Sequence, residues 1–474
     1  MNSEENNIWS VVMAGGSGSR LWPLSRTSMP KQFCSIDGKE NLFYQTIHRA
    51  SQLSGSNPLL VIINKEYKFL AIQELDKLGF DYHLILEPEK KNTAPAISIA
   101  CRYALNFDDK AQMVVLSSDH YISSQADFSS TIIDTLQSAD GESIITFGAK
   151  ALTPETGYGY IHYEKGDNRI CNVKSFVEKP LKEKAEEYVK NGCYLWNTGI
   201  FLFPAHIMLN ELKIYARDVY DISKEISLLL DLNNNIHELD ASLFGSFTNI
   251  SIDYAVLENT KIAKVAMIDF EWSDLGTWSS IWKNSTEKDS DNNFSLGDTN
   301  LIDTKNSLIL SNDKHISALG MENTIIVDTP DALFISSMDS VDQISECVKF
   351  LKEENPLLVS DNRKVYRPWG WYDSIDRDTS HQVKRIHVYP GQKLSVQRHQ
   401  HRAERWIVIK GVATVTLDKE DFEFKVGEIV QIKIMQIHSL ANYTKDTLEI
   451  IEVQLGDYLG EDDIERFEDI YGRA

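Results

Sequence analysis

Apolar runs alternate with amphipathic stretches through the first quarter of the chain. The runs have the length of buried strands, and the stretches between them have helical spacing. The segments are, in order, 59–63, 67–78, 82–86, 94–105 and 113–116. This alternation is typical of βαβ units, so the pattern predicts a mostly parallel sheet covered by helices. In α/β sheets of this kind, ligands bind beyond the carboxyl ends of the strands.

The pattern changes at the polar stretch 283–293, which indicates a boundary. Short apolar pieces separated by Asp, Asn and Gly turns follow over 294–340 and predict a small β-rich module. A helix is predicted over 341–354. From residue 367 onward, strands and regularly spaced glycines predict a compact antiparallel β-barrel. We therefore expect three domains, at 1–285, 286–356 and 357–474.

Composition and charge exclude several classes of protein. The 474-residue chain is 42% hydrophobic, it has no apolar run of about 18 residues, and its amino terminus lacks the pattern of a signal peptide. We therefore expect a cytoplasmic protein. The formal net charge of −22 disfavours nucleic acid or an anionic membrane as partner, because the field of the protein repels polyanions. The five cysteines form no Cys-x-x-Cys pair, so neither a disulfide framework nor a zinc ribbon is indicated.

A glycine-rich turn follows the first apolar run, 11–14. Gly15, Gly16 and Gly18 would let backbone N–H groups approach an anion without interference from Cβ atoms. The segment is not a Walker loop, because no Gly-Lys-Ser/Thr closes it. Nor is it a dinucleotide fingerprint, because the third glycine is missing and prolines interrupt the helix that should follow. The glycines alone are equally consistent with an ordinary surface turn.

Three cationic residues follow the turn, namely Arg20, Arg26 and Lys31. Arginine binds phosphate oxygens bidentately, and lysine acts as a mobile point charge. The three residues together predict a site for a polyphosphate. Because the whole chain is strongly negative, such a ligand must be attracted by these local groups and by a divalent metal ion.

Two aspartates are the best candidates to hold that metal. Asp119 follows the strand predicted at 113–116, and Asp274 lies in a Trp-Ser-Asp-Leu-Gly-Thr-Trp segment. The carboxyl ends of parallel strands share one edge of a sheet, so we expect Asp119 to lie near the glycine turn. Carboxylates without a histidine cluster suit Mg²⁺ better than zinc. From the residues alone, Asp119 could instead be a turn residue and Asp274 a helix N-cap.

The segment 13–32 resembles the signature of the sugar-1-phosphate nucleotidyltransferases, Gly-Gly-x-Gly-x-Arg-Leu-x-Pro-Leu followed by Pro-Lys. Its continuation, Pro-Lys-Gln-Phe, is similar to the long mannose-1-phosphate guanylyltransferases that are fused to a type II mannose-6-phosphate isomerase. The resemblance implies a Rossmann-like nucleotidyltransferase domain, a β-rich module and a carboxy-terminal cupin barrel. It also implies that GMP passes from GTP to mannose 1-phosphate, which gives GDP-mannose and pyrophosphate. We expect a homodimer.

The resemblance also implies roles for individual residues. The catalytic residues would be Arg20, Lys31, Asp119 and Asp274, with the two aspartates as Mg²⁺ ligands. The nucleotide-binding residues would be Gly15, Gly16, Gly18, Arg20, Lys31, Glu87, Asn92 and Thr93. The sugar-phosphate-binding residues would be Gly159, Glu178, Lys179, Asn197 and Gly199. The block 252–254 matches the family too, without an implied role.

The predicted barrel carries three histidines that resemble a cupin metal site for Zn²⁺ or Co²⁺. If 395–406 is one strand, His399 and His401 point to the same face, and His438 follows on a later strand. The same alternation of side chains makes position 405 the third ligand. Glu404 then points to the opposite face of the strand, unless a bulge intervenes.

Position 405 departs from the family, in which it is usually histidine. Arg405 cannot ligate a metal, and its fixed charge would repel one. The tail 460–473 matches the family closely, and there the resemblance implies phosphate contacts for Arg466 and Arg473. We therefore predict weak metal binding and slow isomerisation.

Several functions fit the sequence. The chain is either a bifunctional enzyme or a monofunctional guanylyltransferase with a degenerate, structural cupin domain. A sugar-nucleotide sensor is disfavoured, because a protein that only binds needs no catalytic metal ligands. A nucleotidyltransferase for another base or sugar stays open.

Overall fold

The computed structural model describes residues 8–16, 19–166 and 168–468. The chain divides into two compact units, Met1–Val359 and Ser360–Ala474. Within the described residues, no helix is both long and apolar enough to cross a membrane.

The first unit contains eighteen strands among the described residues. They are β1 (Ile8–Ala14), β2 (Leu59–Asn64), β3 (Tyr82–Glu87), β4 (Gln112–Ser117), β5 (Tyr121–Ile122), β6 (Ile144–Lys150), β7 (Tyr160–Tyr163), β8 (Ile170–Val177), β9 (Tyr194–Pro204), β10 (Ile236–Glu238), β11 (Ala263–Met267), β12 (Trp272–Ser273), β13 (Phe294–Leu296), β14 (Thr299–Ile302), β15 (Leu308–Leu310), β16 (Ile316–Leu319), β17 (Thr324–Thr329) and β18 (Ala332–Ser337).

Helices pack on both faces of the main sheet. The helices of the described residues are α1 (Leu42–Ser51), α2 (Lys68–Leu78), α3 (Thr93–Leu105), α4 (Gln125–Ser138), α5 (Lys182–Asn191), α6 (Ala205–Tyr215), α7 (Arg217–Ser227), α8 (Ala241–Gly245), α9 (Trp278–Asn284), α10 (Ile344–Glu354) and α11 (Leu357–Ser360). Short 3₁₀ turns lie at Ser19–Leu21, Lys31–Phe33, Lys65–Tyr67 and Val341–Gln343, and a π-helical turn lies at Asp253–Leu257.

The main sheet has ten strands in the order β10-β3-β2-β1-β4-β9-β6-β11-β8-β7. The strands from β10 to β4 are parallel, as the alternating pattern predicts. Every residue of β2 is buried, because helices cover a central parallel strand on both faces. β9 runs antiparallel to both β4 and β6, which the local pattern did not predict.

The β-rich module lies over 294–340, as predicted. Its strands stack in parallel, in the order β13-β15-β17, with β18 antiparallel at the edge. Leu308 and Ile325 are fully buried between the rungs and pack with Leu21 and Trp22 of the glycine-turn segment. The helix predicted at 341–354 is present as a 3₁₀ turn followed by α10.

The second unit is an antiparallel barrel of two sheets, as predicted. Its strands are β19 (Lys364–Arg367), β20 (Gly370–Arg377), β21 (His381–Val388), β22 (Val396–His399), β23 (Arg402–Lys410), β24 (Val412–Leu417), β25 (Glu420–Lys425), β26 (Ile429–Ile432), β27 (His438–Ala441), β28 (Leu448–Gly456) and β29 (Ile464–Glu468). The sheet orders are β19-β20-β21-β28-β23-β26 and β25-β24-β27-β22-β29. Both sheets contribute to one core, in which Trp406 and Leu440 are buried.

Candidate functional site

The glycine turn and Asp119 lie together at the carboxyl edge of the parallel strands. β1 and β4 are neighbours, with Met13 opposite Ser117. A Cβ added to Gly15 or Gly16 would meet no atom of the described residues within 4 Å, so those residues leave the space above the turn open. Gly18 lies outside the described residues.

The side chain of Gln32 holds the backbone of this turn. Its Nε2 donates to the carbonyl oxygens of Ala14 at 3.4 Å and Gly16 at 3.3 Å. The Pro-Lys-Gln segment therefore fixes the shape of the turn as well as carrying Lys31.

Lys31 joins the two candidate metal-binding aspartates. Its buried Nζ lies 2.9 Å from Asp119 Oδ2 and donates to the backbone oxygen of Asp274 at 2.5 Å. Ser117 Oγ donates to Asp119 Oδ1 at 2.6 Å. Burial alone would raise the pKa of Asp119, but the Lys31 ammonium, His120 and the Ser117 hydroxyl together outweigh burial and hold that pKa below its usual range. Asp119 is therefore ionised at neutral pH.

Asp274 is oriented by a tyrosine that the sequence did not single out. Tyr158 OH donates to Asp274 Oδ1 at 2.9 Å, and the Gly276 N–H donates to the same atom at 3.0 Å. The cap of α9 is Thr277, whose Oγ1 accepts from Ser280 N. The alternative that Asp274 is a helix N-cap is therefore wrong.

One member of the predicted cationic set is engaged elsewhere. Arg20 is exposed in the short 3₁₀ turn that follows the glycines. Arg26, in contrast, is buried and binds Asp331 bidentately, with both N–O distances at 2.7 Å. The prediction that Arg26 serves the turn is wrong, because Asp331 of the β-rich module engages its guanidinium.

The candidate nucleotide segment begins at the end of β3. Glu87 is buried there, and burial raises the pKa of its carboxyl to about 8. Asn92 has a φ of 68° and accepts from Thr93 N, which caps α3. Thr93 Oγ1 in turn accepts from Ile252 N at 2.8 Å.

The candidate sugar residues form a second group just before β7, just after β8 and within β9. A Cβ added to Gly159 would lie 2.5 Å from Glu178 Oε2 and 3.3 Å from Asn197 Cβ, so this position has no room for a side chain. Lys179 has a φ of 47° and its Nζ lies 3.0 Å from Glu178 Oε1. Gly199 donates its N–H to Asn197 Oδ1 at 3.1 Å.

In the barrel, His399, Glu404 and His438 form a buried cluster. One ligand atom from each lies within 4.8 Å of the other two. His399 Nε2 lies 3.0 Å from Glu404 Oε1, and His438 Nε2 lies 3.6 Å from Glu404 Oε2. All three side chains are at most 1% exposed.

This cluster differs from the predicted one, because 395–406 is not a single strand. β22 ends at His399 and β23 begins at Arg402, so the alternation of side chains restarts. Glu404 points inward and Arg405 does not; its Nη1 donates to the backbone oxygen of Glu404. The predictions that position 405 is the third ligand and that Glu404 points away are wrong.

The prediction that His401 belongs to the metal site is also wrong. Its side chain is 51% exposed, and its Nδ1 lies 2.8 Å from Asp463 Oδ1. The backbone N–H groups of Gln400 and His401 donate to the same carboxylate at 3.1 and 3.4 Å. Asp463 therefore stabilises the break between the strands, and His401 lies outside the cluster.

The cluster fits a divalent transition metal. His399 Nδ1 is buried without a hydrogen-bond partner in the part of the chain that the structure describes, and the Nε2 atoms of His399 and His438 both face the Glu404 carboxylate. Unpartnered buried polar atoms are costly. Two imidazoles and a carboxylate are a common donor set for such metals.

A small cavity beside the cluster is lined by charged residues, including Lys384, Arg402, Glu452 and Arg466. Trp406 Nε1 donates to both Glu404 and Glu452, each at 3.0 Å. Burial and the adjacent Glu404 raise the pKa of Glu452 to about 8. Arg473 lies outside the described residues.

Known proteins resemble the chain in both units. Residues 9–291 match the nucleotidyl transferase family model, 297–351 match the MannoseP isomerase/GMP-like beta-helix domain, and 354–469 match the mannose-6-phosphate isomerase C-terminal model. An alginate biosynthesis protein AlgA from Pseudomonas syringae pv. tomato is 42% identical over 98% of this chain and 96% of its own length. A mannose-1-phosphate guanylyltransferase from Salmonella montevideo is 40% identical over 98% of this chain and all of its own. A structure described as mannose-1-phosphate geranyltransferase from Thermus thermophilus covers 73% of this chain and 99% of its own, with 26% identity and a TM-score of 0.66.

Proposed function

Since the chain belongs to the nucleotidyl transferase family, with relatives similar over nearly its whole length, we propose that it makes GDP-mannose. GMP passes from GTP to mannose 1-phosphate, and pyrophosphate is released. A phosphate oxygen of mannose 1-phosphate attacks the α-phosphorus of GTP in line, and the bond from that phosphorus to the β-bridging oxygen breaks. No covalent enzyme intermediate is needed.

One observation carries this proposal, namely the contact of Lys31 with both Asp119 and Asp274 beside the open glycine turn. In this arrangement Arg20 and Lys31 stabilise the negative charge of the reacting phosphates. Asp119 and Asp274 would hold Mg²⁺, which neutralises phosphate charge when bound. Tyr158 orients the Asp274 carboxylate for that role.

Glu87 supports the choice of a guanine nucleotide. Guanine carries two N–H donors on one edge, N1–H and the N2 amino group, and donation from both would favour the ionised form of Glu87, whose pKa burial otherwise raises. Glu87 Oε1 is buried with no hydrogen-bond partner among the described residues, at the end of a parallel strand. Glu178 and Asn197 would bind sugar hydroxyls, and Lys179 would bind the sugar phosphate.

We propose in addition that the barrel interconverts mannose 6-phosphate and fructose 6-phosphate. The buried cluster of His399, Glu404 and His438 supports this activity over a purely structural barrel. A divalent metal held there would stabilise the oxygens of an ene-diol. Arg466, which lines the adjacent cavity, would bind the substrate phosphate.

The decisive assay mixes purified protein with Mg²⁺, mannose 1-phosphate and each nucleoside triphosphate in turn, and measures pyrophosphate. We expect GTP to give much more pyrophosphate than CTP or UTP. Equal release from all of them would contradict the guanylyl assignment, and no release with any would contradict the transferase itself. Conversion of fructose 6-phosphate to mannose 6-phosphate by the same preparation tests the barrel, and its absence in metal-loaded protein would favour the monofunctional alternative.

A further inference from the structure

The side chain of Asn197 is almost fully hydrogen-bonded within the protein. Its Oδ1 accepts from Thr146 Oγ1 at 2.9 Å and from Gly199 N at 3.1 Å. Its Nδ2 donates to Asp253 Oδ1 at 3.0 Å. A backbone N–H can only donate, so the contact with Gly199 fixes which amide atom is the oxygen.

This pattern limits what Asn197 can offer to a ligand. An amide oxygen accepts about two hydrogen bonds and an amide nitrogen donates two. Both acceptor positions of Asn197 are filled and one of its two hydrogens is used. Among the described residues, Asn197 therefore has a single N–H without a partner, which suits a hydroxyl oxygen acting as acceptor.

Asp253 holds this orientation from a structured turn. It begins the π-helical turn Asp253–Leu257, and Glu258 follows at the end of that turn. Glu258 Oε1 accepts from the backbone N–H of Glu178 at 3.3 Å. The same turn therefore touches both Asn197 and Glu178, the two residues placed on the sugar.

The turn is also tied to the nucleotide segment. Ile252 N donates to Thr93 Oγ1, and Ala94 N donates to Ile250 O at 3.2 Å. Burial and the Glu178 carboxylate raise the pKa of Asp253 to about 7, which indicates that the two acidic groups are close.

We propose that Asp253 is a positioning residue, which holds Asn197 so that its remaining N–H binds a sugar hydroxyl while Glu178 accepts from a neighbouring one. The proposal rests on the guanylyltransferase function above. It gives a role to the 252–254 block, for which the sequence implied none. Because Asp253 acts through Asn197, substitution of Asp253 should weaken binding of mannose 1-phosphate and leave binding of GTP unchanged.

The test is steady-state kinetics of the full-length protein with GTP and mannose 1-phosphate. We expect Asp253→Ala to raise the KM for mannose 1-phosphate about 3- to 10-fold, the value of one buried hydrogen bond. The KM for GTP should stay within about twofold. Asp253→Asn keeps an oxygen acceptor for Asn197 and should largely restore the wild-type KM. Asn259→Ala is the matched control. Asn259 follows the far end of the same turn and donates to the backbone oxygen of Tyr254.

A double-mutant cycle decides whether Asp253 acts through Asn197. We expect Asp253→Ala to add nothing in an Asn197→Ala background. Multiplied effects, an unchanged KM for mannose 1-phosphate or an equal rise in the KM for GTP would each overturn the proposal. If Asp253→Ala does not fold, Thr146→Val removes the opposite contact of Asn197, and its failure to raise the KM for mannose 1-phosphate would overturn the proposal too. A wild-type protein that makes no GDP-mannose would instead overturn the proposed function.

Discussion

The two candidate metal sites differ in how their carboxylates are neutralised. In the first unit, Asp119 is paired with Lys31, and the glycine turn beside it is open. In the second unit, Glu404 faces two imidazoles in a fully buried cluster. A carboxylate paired with a lysine needs no metal to be stable, whereas the buried imidazole nitrogens that face Glu404 would gain a partner from a metal ion.

We therefore expect the first site to bind a metal transiently and the second to keep one. The site at Asp119 suits an ion that arrives and leaves with phosphorylated ligands, since Mg²⁺ is usually held by one or two carboxylates together with substrate phosphates. The cluster in the barrel suits an ion that stays with the protein through purification. Four substitutions can break or sharpen the contrast.

The largest expected effect is on the barrel. Glu404→Ala should remove the bound metal, measured by mass spectrometry of purified protein, and reduce isomerisation to background. GDP-mannose synthesis should stay within about twofold, because the reacting groups of that site all lie in the first unit. His401→Ala is the matched control and should keep its metal. Loss of metal in the His401→Ala control as well would show that His401 is a metal ligand.

Lys31→Ala should have the next largest effect. Removing one charge-stabilising group from a preorganised site typically lowers kcat by about 10² to 10³. Metal content and isomerisation should not change. The exposed Lys39 is the matched control, and Lys39→Ala should leave GDP-mannose synthesis unchanged. Wild-type kinetics in Lys31→Ala would show that the lysine is not part of the reaction.

Arg26→Met should lower stability rather than activity. It leaves Asp331 without its partner, and breaking a buried ion pair costs roughly 3 kcal/mol; the cost here should be smaller, because Asp331 is partly exposed. Thermal unfolding measures this loss. The KM for GTP should stay unchanged. A marked rise in this KM would show that Arg26 contributes to binding of the phosphates.

The smallest effect is expected for Arg405→His. Position 405 points away from the cluster, so neither metal content nor isomerisation should change by more than about twofold. A large gain in metal content or in isomerisation would instead support one uninterrupted strand over 395–406.

Local patterns predicted the elements well, because each depends on nearby residues. The alternation over 59–116 predicted β2, α2, β3, α3 and β4 from the spacing of apolar residues alone. Parallel pairing then placed the glycine turn and Asp119 on one edge. The same local reasoning could not orient β9 against β4 and β6, because that pairing involves strands far apart in sequence.

The errors come from partners that are distant in the chain. The prediction of one continuous strand over 395–406 failed at Gln400 and His401. Asp463, more than 60 residues later in the chain, stabilises the break between β22 and β23. Arg26 was misplaced because its partner, Asp331, lies in another module. Tyr158 was missed because no local pattern links it to Asp274.

The dependence of the break on Asp463 has a consequence for biosynthesis. β22, which carries His399, lies between β27 and β29 in its sheet. A ribosome-bound chain therefore cannot complete this arrangement until residues 463–468 have been translated. Any metal that the cluster of His399, Glu404 and His438 holds would therefore be bound only after this segment has been made. A nascent chain arrested before residue 463 should accordingly fail to retain metal.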